Sequence, residues 1–417
     1  MATRMEPDAG GAELAHASSL LQLLFEDYHP RDFDVRFWDG STWAAEGGGA
    51  PKFTLVLNHP SAVQSMMSPP LDLAMGEAYI HQKLDVEGDL ESVFHAADHL
   101  LIRKWKPADR VRLGWQLSRL QTPDSGSARP AELPGLKHSE GRDQAAVTSH
   151  YDLSNEFFSL WLDPSMVYSC AFFSSPAQHL IGAQWNKLDL VCRKLKLRPD
   201  EAFLDVGCGW GALAIHAATI YGARVTGITL SEPQAQLARE RARRAGLSEE
   251  RCQIRVLDYR AMDQPAAFDK IASIGMVEHV GESQLPVYFE HIHRLLKPGG
   301  LFLNHGISAN RSRLGFIHRE FLNRYVFPDA EMTPLDTVLG HAEQVGFEVR
   351  NVESLREHYT LTLRAWGHNL DQAKEKACRL VGEVNFRIWK LFMAAAAYSF
   401  EKGNHSIFQS LLLKEPS

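Results

Sequence analysis

Several features common in membrane, secreted and metal-binding proteins are scarce in this 417-residue sequence. No segment approaches the roughly 18 consecutive apolar residues that a membrane-spanning helix needs. The N-terminus lacks a basic segment followed by an apolar stretch and a cleavage site, so we expect no secretory signal. The five cysteines form no CxxC pair, and no histidine or cysteine pair has a third ligand at metal-site spacing. We therefore expect a cytoplasmic protein with reduced thiols and no bound metal.

Excess positive charge is also lacking. Lys and Arg total 44 against 51 Asp and Glu, and the formal net charge of -7 weighs against a nucleic-acid partner. Hydrophobic residues make up 45% of the chain and charged residues 23%, which is the balance of a globular protein. Because a chain of this length exceeds what one ordinary core supports, we predict two domains.

The first 120 residues have the pattern of a small α+β domain. The segment DFDVRFWDGSTW alternates apolar and polar residues and turns at Asp39-Gly40, which predicts strands joined by a hairpin. FTLVLNH predicts another strand, and SAVQSMM predicts a short helix that ends at Pro69-Pro70. Residues 121–144 are rich in Pro, Gly, Ser and charge, so we predict that they link domain 1–120 to a second domain at 145–417.

A basic segment with two tryptophans ends the first domain. Residues 107–120 predict a helix, and Pro107 suits its first turn. Basic residues surround the two indoles: Arg103, Lys104, Lys106, Arg110, Arg112 and Arg119 around Trp105 and Trp115. This mixture is typical of a helix that lies on an anionic membrane. An ordinary amphipathic helix that packs inward would show a similar pattern, so both interpretations remain open.

Strand-like and helical segments alternate beyond the linker. FLDVG, RVTGITL, QIRVLD, KIASIGM and GLFLNHG have the composition of buried strands, and helical patterns such as PQAQLARERARRAG lie between them. This alternation predicts an α/β fold, with a mostly parallel sheet and helices on both faces.

A glycine-rich turn follows the first of these strands, in FLDVGCGWGALAIHAA. Gly207, Gly209 and Gly211 permit a sharp turn and let a ligand approach main-chain amides at the start of a helix. A tight turn without a ligand, or a dinucleotide site, would also use glycines. With Asp205 before it and Ala212 where GxGxxG would need glycine, the loop resembles the first motif of class I S-adenosylmethionine methyltransferases. The resemblance favours the methyl donor over NAD and implies a Rossmann-like sheet.

Polar residues follow the next two strands at positions where methyltransferases commonly contact the ribose and the adenine of the donor. The candidates are Thr229, Ser231 and Gln234, with Glu232 nearby, after the second strand, and Asp258, Tyr259 and Arg260 after the third. A solvated turn would equally explain Asp258.

Five motifs, in order, resemble those of the cyclopropane-fatty-acyl-phospholipid synthases and their mycolic-acid relatives. They are HYDLSNEFFSLWLDPSMVYSCAFF, TGITLSEPQ, SIGMVEHVG, LFLNHGI and HYTLTLRAW. The similarity runs from about residue 145 to the C-terminus, and residues 33–100 resemble the N-terminal domain of some bacterial members. Because five motifs recur in family order, the resemblance is far more specific than one glycine loop.

The resemblance implies a bicarbonate ion beside the transferable methyl group. The matching positions are Cys170, Glu278, His305, Ile307, through its backbone, and Tyr359. Positions that match the family's donor site are Tyr168, Ser169, Gly207, Gly209, Thr229, Leu230, Gln234, Tyr259 and Arg260. Two departures are Gly306, where relatives often carry threonine, and Asp329-Ala330, which replaces a glycine near the implied acyl-chain entrance.

The implied chemistry explains these residue types. An alkene that attacks a sulfonium methyl group becomes a carbocation, and ring closure then requires a base in a dry pocket. His305 and Tyr359 can donate hydrogen bonds to a small anion, and Glu278 can accept one from its hydroxyl. Tyr151 and Phe327 are candidates to face the cation with π density. Taken singly, Cys170 and Tyr359 would more often be inert core residues.

The sequence thus predicts cyclopropanation of cis-unsaturated phospholipid acyl chains at the membrane surface. A fatty-acid methyltransferase that makes methyl-branched or methylene chains is a close alternative, and His305 favours the ring. A small-molecule methyltransferase and a lipid carrier with an idle donor site remain further alternatives. Relatives suggest peripheral membrane association and a homodimer.

Overall fold

The computed structural model describes residues 9–103, 105–117, 142, 154–312 and 320–416. The chain forms two compact units. The first comprises Met1–Pro130, His318–Phe321 and Gly382–Ala395, and the second comprises Ala131–Ile317, Leu322–Val381 and Ala396–Ser417. The predicted linker lies outside the described residues except for Arg142, and so does the candidate Tyr151.

The first unit contains a four-stranded sheet with the strand order β2-β1-β3-β4. The strands are β1 (Phe33–Arg36), β2 (Thr42–Trp43), β3 (Phe53–Leu57) and β4 (Leu84–Gly88). The helices are α1 (Ala9–Leu24), α2 (Ala62–Met66), α3 (Leu71–Ile80), α4 (Val93–Ile102) and α5 (Pro107–Leu117). Strands β1 and β2 pair antiparallel, as the hairpin prediction requires, whereas β1 and β3 are parallel.

Alternation along the strands builds the core of this unit. Phe33 and Val35 of β1 are buried, and their neighbours are half-buried. The ring of Phe33 stacks on that of Phe53 at 4.8 Å between centroids. The predicted small α+β region is confirmed.

The second unit contains a seven-stranded sheet with the strand order β10-β11-β9-β8-β5-β6-β7. Its strands are β5 (Ala202–Val206), β6 (Arg224–Thr229), β7 (Cys252–Val256), β8 (Phe268–Ile274), β9 (Leu296–Ala309), β10 (Phe347–Ser354) and β11 (His405–Lys414). Strands β5 to β9 pair in parallel, and β11 runs antiparallel to both β9 and β10. The predicted mostly parallel sheet is confirmed.

Helices cover both faces of this sheet. The helices between residues 155 and 401 are α6 (Asn155–Ser159), α7 (Leu180–Lys194), α8 (Ala212–Ile220), α9 (Glu232–Arg244), α10 (Val277–Val280), α11 (Leu285–Leu295), α12 (Glu320–Tyr325), α13 (Leu335–Gln344), α14 (Arg356–Gln372) and α15 (Lys374–Glu401). Adjacent residues of β5 face different cores, since Phe203 packs with the apolar residues of α7, α8 and α9 and Leu204 with those of α11 and α13.

Helix α15 is broken at Gly382, whose backbone angles are φ 80° and ψ 159°. The chain passes there from the second unit to the first. The predicted boundary therefore differs from the structure, because Gly382–Ala395 belongs to the N-terminal unit rather than to the 145–417 domain. Buried Arg387 explains this grouping: its guanidinium bonds to the carbonyl of Tyr79 at 2.8 Å and to the carboxylate of Asp85 at 3.0 Å.

Candidate active site

A cavity opens at the carboxyl ends of the parallel strands, where the strand order reverses between β5 and β8. Ligands of open α/β sheets bind at such a reversal. Eleven of the predicted donor-site residues line it: Tyr168, Ser169, Asp205, Gly207, Gly209, Thr229, Leu230, Gln234, Asp258, Tyr259 and Arg260. The remaining two, Gly211 and Ser231, are N-caps of helices α8 and α9 and do not line the cavity.

The glycine loop needs left-handed backbone angles that only glycine adopts without strain. Gly207, Gly209 and Gly211 have φ angles of 78°, 52° and 79°. At Gly211 a side chain is also excluded sterically, since a Cβ would lie 2.9 Å from the Cβ of Ala238. Gly211 therefore shapes the turn, and Gly207 and Gly209 expose backbone to the cavity.

Asp205 ends β5 beneath this loop and is almost completely buried. Burial raises the pKa of its carboxyl to about 7, against the opposing effects of the Lys187 charge and a backbone hydrogen bond. Its Oδ2 has no hydrogen-bond partner among the described residues. A buried acceptor facing this cavity is suited to a polar group of a ligand.

The polar residues after β6 and β7 are held in place by one another. Thr229 donates its hydroxyl to Gln234 Oε1 at 2.9 Å. Arg260 binds both carboxylate oxygens of Asp258, with Nε at 3.0 Å and Nη2 at 2.6 Å. The solvated-turn interpretation of Asp258 does not hold, because its carboxylate is mostly buried and ion-paired. Its contact with adenine stays a prediction.

Lys187 is a cavity residue that the sequence reasoning missed. It is buried, and its ammonium donates to Ser169 Oγ at 2.8 Å. Burial lowers the pKa of Lys187 to about 8, opposed by the nearby Cys170, Asp163 and Asp205. Helical spacing in the sequence could have identified it, because Lys187 lies on the buried face of α7 with Ala183, Leu188 and Val191.

Glu278, a candidate of the anion site, follows β8 on the short helix α10 and is buried. The pairing of β8 with β9 ends at Ile274 and His305. Two residues beyond His305, the amide of Ile307 donates its hydrogen to Glu278 Oε1 at 2.6 Å. The Ile307 N–H, which the resemblance placed near the anion, is therefore bound to Glu278. Burial raises the pKa of Glu278 to about 7, and Oε2 has no partner in the described part of the chain.

His305 lies within β9 and is completely buried. Gln409 Nε2 of β11 lies 3.2 Å from its Nδ1. Its Nε2 has no partner among the residues that the structure describes. Burial lowers the pKa of His305 well below its usual range, so the ring is neutral at physiological pH.

Cys170 and Tyr359 meet at Leu355, just before helix α14. The Cys170 thiol lies 3.7 Å from the Leu355 carbonyl oxygen, which also accepts the Tyr359 amide hydrogen at 3.0 Å. Leu355 in turn donates its amide to Ile407, the register partner of Ile307. These contacts connect Cys170 and the backbone of Tyr359 to Ile307, and none of the five anion-site candidates lines the donor cavity. Burial raises the pKa of Cys170, so it stays a neutral thiol.

The acyl-chain candidate Phe327 precedes cavity residues Pro328 and Asp329, and its ring lies 6.1 Å from that of His279, also a cavity residue. Asp329, one of the departures, adopts a left-handed φ of 65° and pairs with Arg142 at 3.0 Å. The other departure, Gly306, has a steric cause.

That cause is the close packing of α10 against β9. A Cβ at position 306 would lie 2.1 Å from Val277 Cγ1. Real Cβ contacts are not that short, so Gly306 is required by the position of Val277.

Comparison with known families agrees with the motifs. Residues 138–410 match the family described as mycolic acid cyclopropane synthetase, and residues 20–100 match a domain of unknown function (DUF7884). A probable fatty acid methyltransferase of Pseudomonas putida is 38% identical and aligns over 91% of each chain. One from Mycobacterium tuberculosis is 36% identical, over 93% of this chain and 91% of its own.

Solved structures give the same result. The cyclopropane synthase MmaA2 from Mycobacterium tuberculosis superposes with a TM-score of 0.61 at 31% identity, over 65% of this chain and 98% of that one. The mycolic acid cyclopropane synthase CmaA1, complexed with SAH and CTAB, has a TM-score of 0.60 at 34% identity, with the same coverage. The chain therefore belongs to the mycolic acid cyclopropane synthetase family and is an S-adenosylmethionine-dependent methyltransferase of the cyclopropane synthase and fatty acid methyltransferase type.

Proposed function

We propose that this protein adds a methylene group from S-adenosylmethionine across the cis double bond of an unsaturated phospholipid acyl chain and thereby forms a cyclopropane ring. The observation that supports the ring is a pair of buried polar atoms, His305 Nε2 and Glu278 Oε2, that lack partners among the described residues. His305 lies on β9. Glu278 lies on α10, and the next two residues of that helix, His279 and Val280, line the donor cavity.

The reaction needs a base at that place. The alkene π pair forms a bond to the methyl carbon while the carbon–sulfur pair leaves with sulfur, and the acyl chain becomes a carbocation. Loss of a proton from the new methyl group then lets its C–H electron pair close the ring. Bicarbonate, when bound, supplies the base that accepts this proton.

The residues present fit such an anion. A neutral His305 can donate from Nε2, and Glu278 can accept a hydrogen bond at Oε2. Because burial raises the pKa of Glu278 to about 7, its carboxyl repels an anion less than an ordinary carboxylate would. Buried apolar surroundings also keep water away from the cation.

A labelled donor tests this function. Purified protein is mixed with S-adenosylmethionine that carries a trideuterated methyl group and with vesicles of cis-unsaturated phospholipid, with and without bicarbonate. We expect a ring-bearing lipid that keeps two of the three deuteriums and forms faster with bicarbonate. A lipid that keeps all three deuteriums, or no lipid product at all, would contradict the proposal.

Methyl-branched or methylene fatty acids are the second candidate product. The relatives that match nine tenths of this chain are named probable fatty acid methyltransferases. A methylene branch also loses one deuterium, so the fragmentation pattern of the product separates it from a ring.

We further propose that helix α5 docks the first unit on the cytoplasmic face of an anionic membrane. Val111 and Trp115, four residues apart on one face of α5, are 74% and 53% exposed, and Arg112 is exposed beside them. Exposed apolar groups next to basic ones suit the headgroup region of anionic lipids. Within the described ranges, no helix combines the length and apolarity of a bilayer span.

A further inference from the structure

Gln409 faces His305 across two paired strands. The register of β11 and β9 puts the two residues directly opposite each other, so their side chains share one face of the sheet. Both are completely buried, and Gln409 Nε2 lies 3.2 Å from His305 Nδ1. A glutamine here is unusual, because the neighbours of Gln409 on the same face of β11, Ile407 and Leu411, are apolar.

The contact decides where the single ring proton of His305 resides. The ring is neutral, so one nitrogen carries a hydrogen and the other offers a lone pair. In the orientation that the Gln409 amide has here, its nitrogen faces Nδ1 and can only donate, which makes Nδ1 the acceptor and leaves the hydrogen on Nε2. Gln409 Oε1 has no partner among the described residues. Nε2 is the atom that has no partner within the described chain.

We propose that Gln409 is a positioning residue that holds His305 in the Nε2–H tautomer, so that Nε2 donates a hydrogen bond to the bound anion. The inference rests on the proposed function, since it assigns this donor to the bicarbonate site. The opposite tautomer would present a lone pair to the anion and repel it. Gln409 acts only through His305 and touches no reacting atom.

Nitrogen NMR tests the tautomer without any turnover. Protein labelled with ¹⁵N-histidine gives ring signals that differ for protonated and unprotonated nitrogens, and a His305→Gln variant identifies those of His305. We expect an unprotonated Nδ1 and a protonated Nε2 in the unmodified protein. A protonated Nδ1 would overturn the inference, whether or not any Gln409 variant folds.

The Gln409→Met variant tests the consequence. Methionine keeps the length of the side chain and removes the donor, so the ring should lose its tautomeric preference and the two nitrogen signals should move toward each other. The bicarbonate concentration for half-maximal activity should rise roughly tenfold, as expected for the loss of one or two buried hydrogen bonds. Half-saturation by S-adenosylmethionine should change by less than about twofold.

Ser410→Ala is the matched control, because Ser410 is also buried on β11 and lies next to Gln409 on the opposite face. It should leave both the His305 signals and the bicarbonate response unchanged. If Gln409→Met and Ser410→Ala have equal effects, the role of Gln409 is merely structural and the inference fails. If the tautomer follows Gln409 but bicarbonate has no effect on the unmodified protein, the inference on Gln409 stands and the proposed anion is wrong.

Discussion

At the scale of residues, burial pushes four ionisable groups toward their neutral forms. The pKa values of Asp205 and Glu278 rise to about 7, that of Lys187 falls to about 8, and that of His305 falls well below its usual range. In each case desolvation is the largest cause. A carbocation would be trapped by water, so a dry and nearly neutral site suits the proposed reaction.

The raised pKa of Glu278 predicts a pH-dependent stability. Its carboxyl keeps a proton in the folded protein up to about pH 7 and loses it in the unfolded chain near pH 4.5. The contribution of this carboxyl to the free energy of unfolding is therefore fully present below about pH 4.5 and is lost as the pH rises through about 7. The loss amounts to roughly 3 kcal/mol at about 1.4 kcal/mol per pKa unit.

Glu278→Gln removes this titration and leaves Asp205 unchanged, so the difference between the two proteins isolates Glu278. Denaturant unfolding at several pH values should show the variant gaining stability relative to the unmodified protein as the pH rises. A difference in unfolding free energy that does not change with pH would contradict the raised pKa.

At the scale of elements, the packing of α10 against β9 fixes the position of Glu278 in the proposed anion site. Glu278 reaches Ile307 because Val277 of the same helix packs where a side chain at position 306 would lie. The helix begins three residues after β8 ends, so its place follows directly from the sheet.

Gly306→Thr tests this packing, because it restores the residue that relatives often carry. We expect the variant to lose about 1–3 kcal/mol of unfolding free energy through overpacking. Val277→Ala makes room, so the double variant should be more stable than the sum of the single effects predicts. A double-mutant cycle in denaturant measures the coupling, and additivity within about 0.5 kcal/mol would contradict the steric explanation.

The sequence predicted the elements better than their contacts. Strands such as FLDVG were predictable because the buried apolar residues Phe203, Leu204 and Val206 precede a glycine turn. Lys187 and Gln409 were missed because each is a polar residue on an otherwise apolar face, and a periodic pattern does not indicate what such a residue contacts. The pairing of Gln409 with His305 depends on the register of strands separated by about a hundred residues of chain. Motif similarity pointed to Cys170 and Tyr359, but only the fold shows that they meet at Leu355.

At the scale of the whole molecule, the donor cavity and the exposed face of α5 belong to different units. The C-terminal part of α15 joins the first unit after the break at Gly382, so the first unit is not formed by the N-terminal sequence alone. A deletion of residues 1–120 would strip this helix of its partners. Point variants on α5 are therefore the better test of membrane docking.

A double variant, Val111→Ser with Trp115→Ser, should bind anionic vesicles roughly tenfold more weakly, because burial of each large apolar side chain contributes about 1.5–3 kcal/mol when complete. Vesicle sedimentation measures the change. Val287→Ser is the control, since Val287 is 45% exposed on α11 in the second unit. Equal binding by all three proteins would contradict docking through α5.

Fatty-acid profiling of living cells tests whether this protein makes cyclopropane rings with the help of His305. The protein and its His305→Ala variant are expressed in a bacterium that lacks cyclopropane lipids, and the fatty acids are separated by gas chromatography and identified by mass spectrometry. We expect a new ring-bearing fatty acid, one methylene heavier than its unsaturated precursor, that disappears with the variant while both proteins are present and folded. A ring that the variant still makes, or a methyl-branched acid in place of the ring, would contradict it.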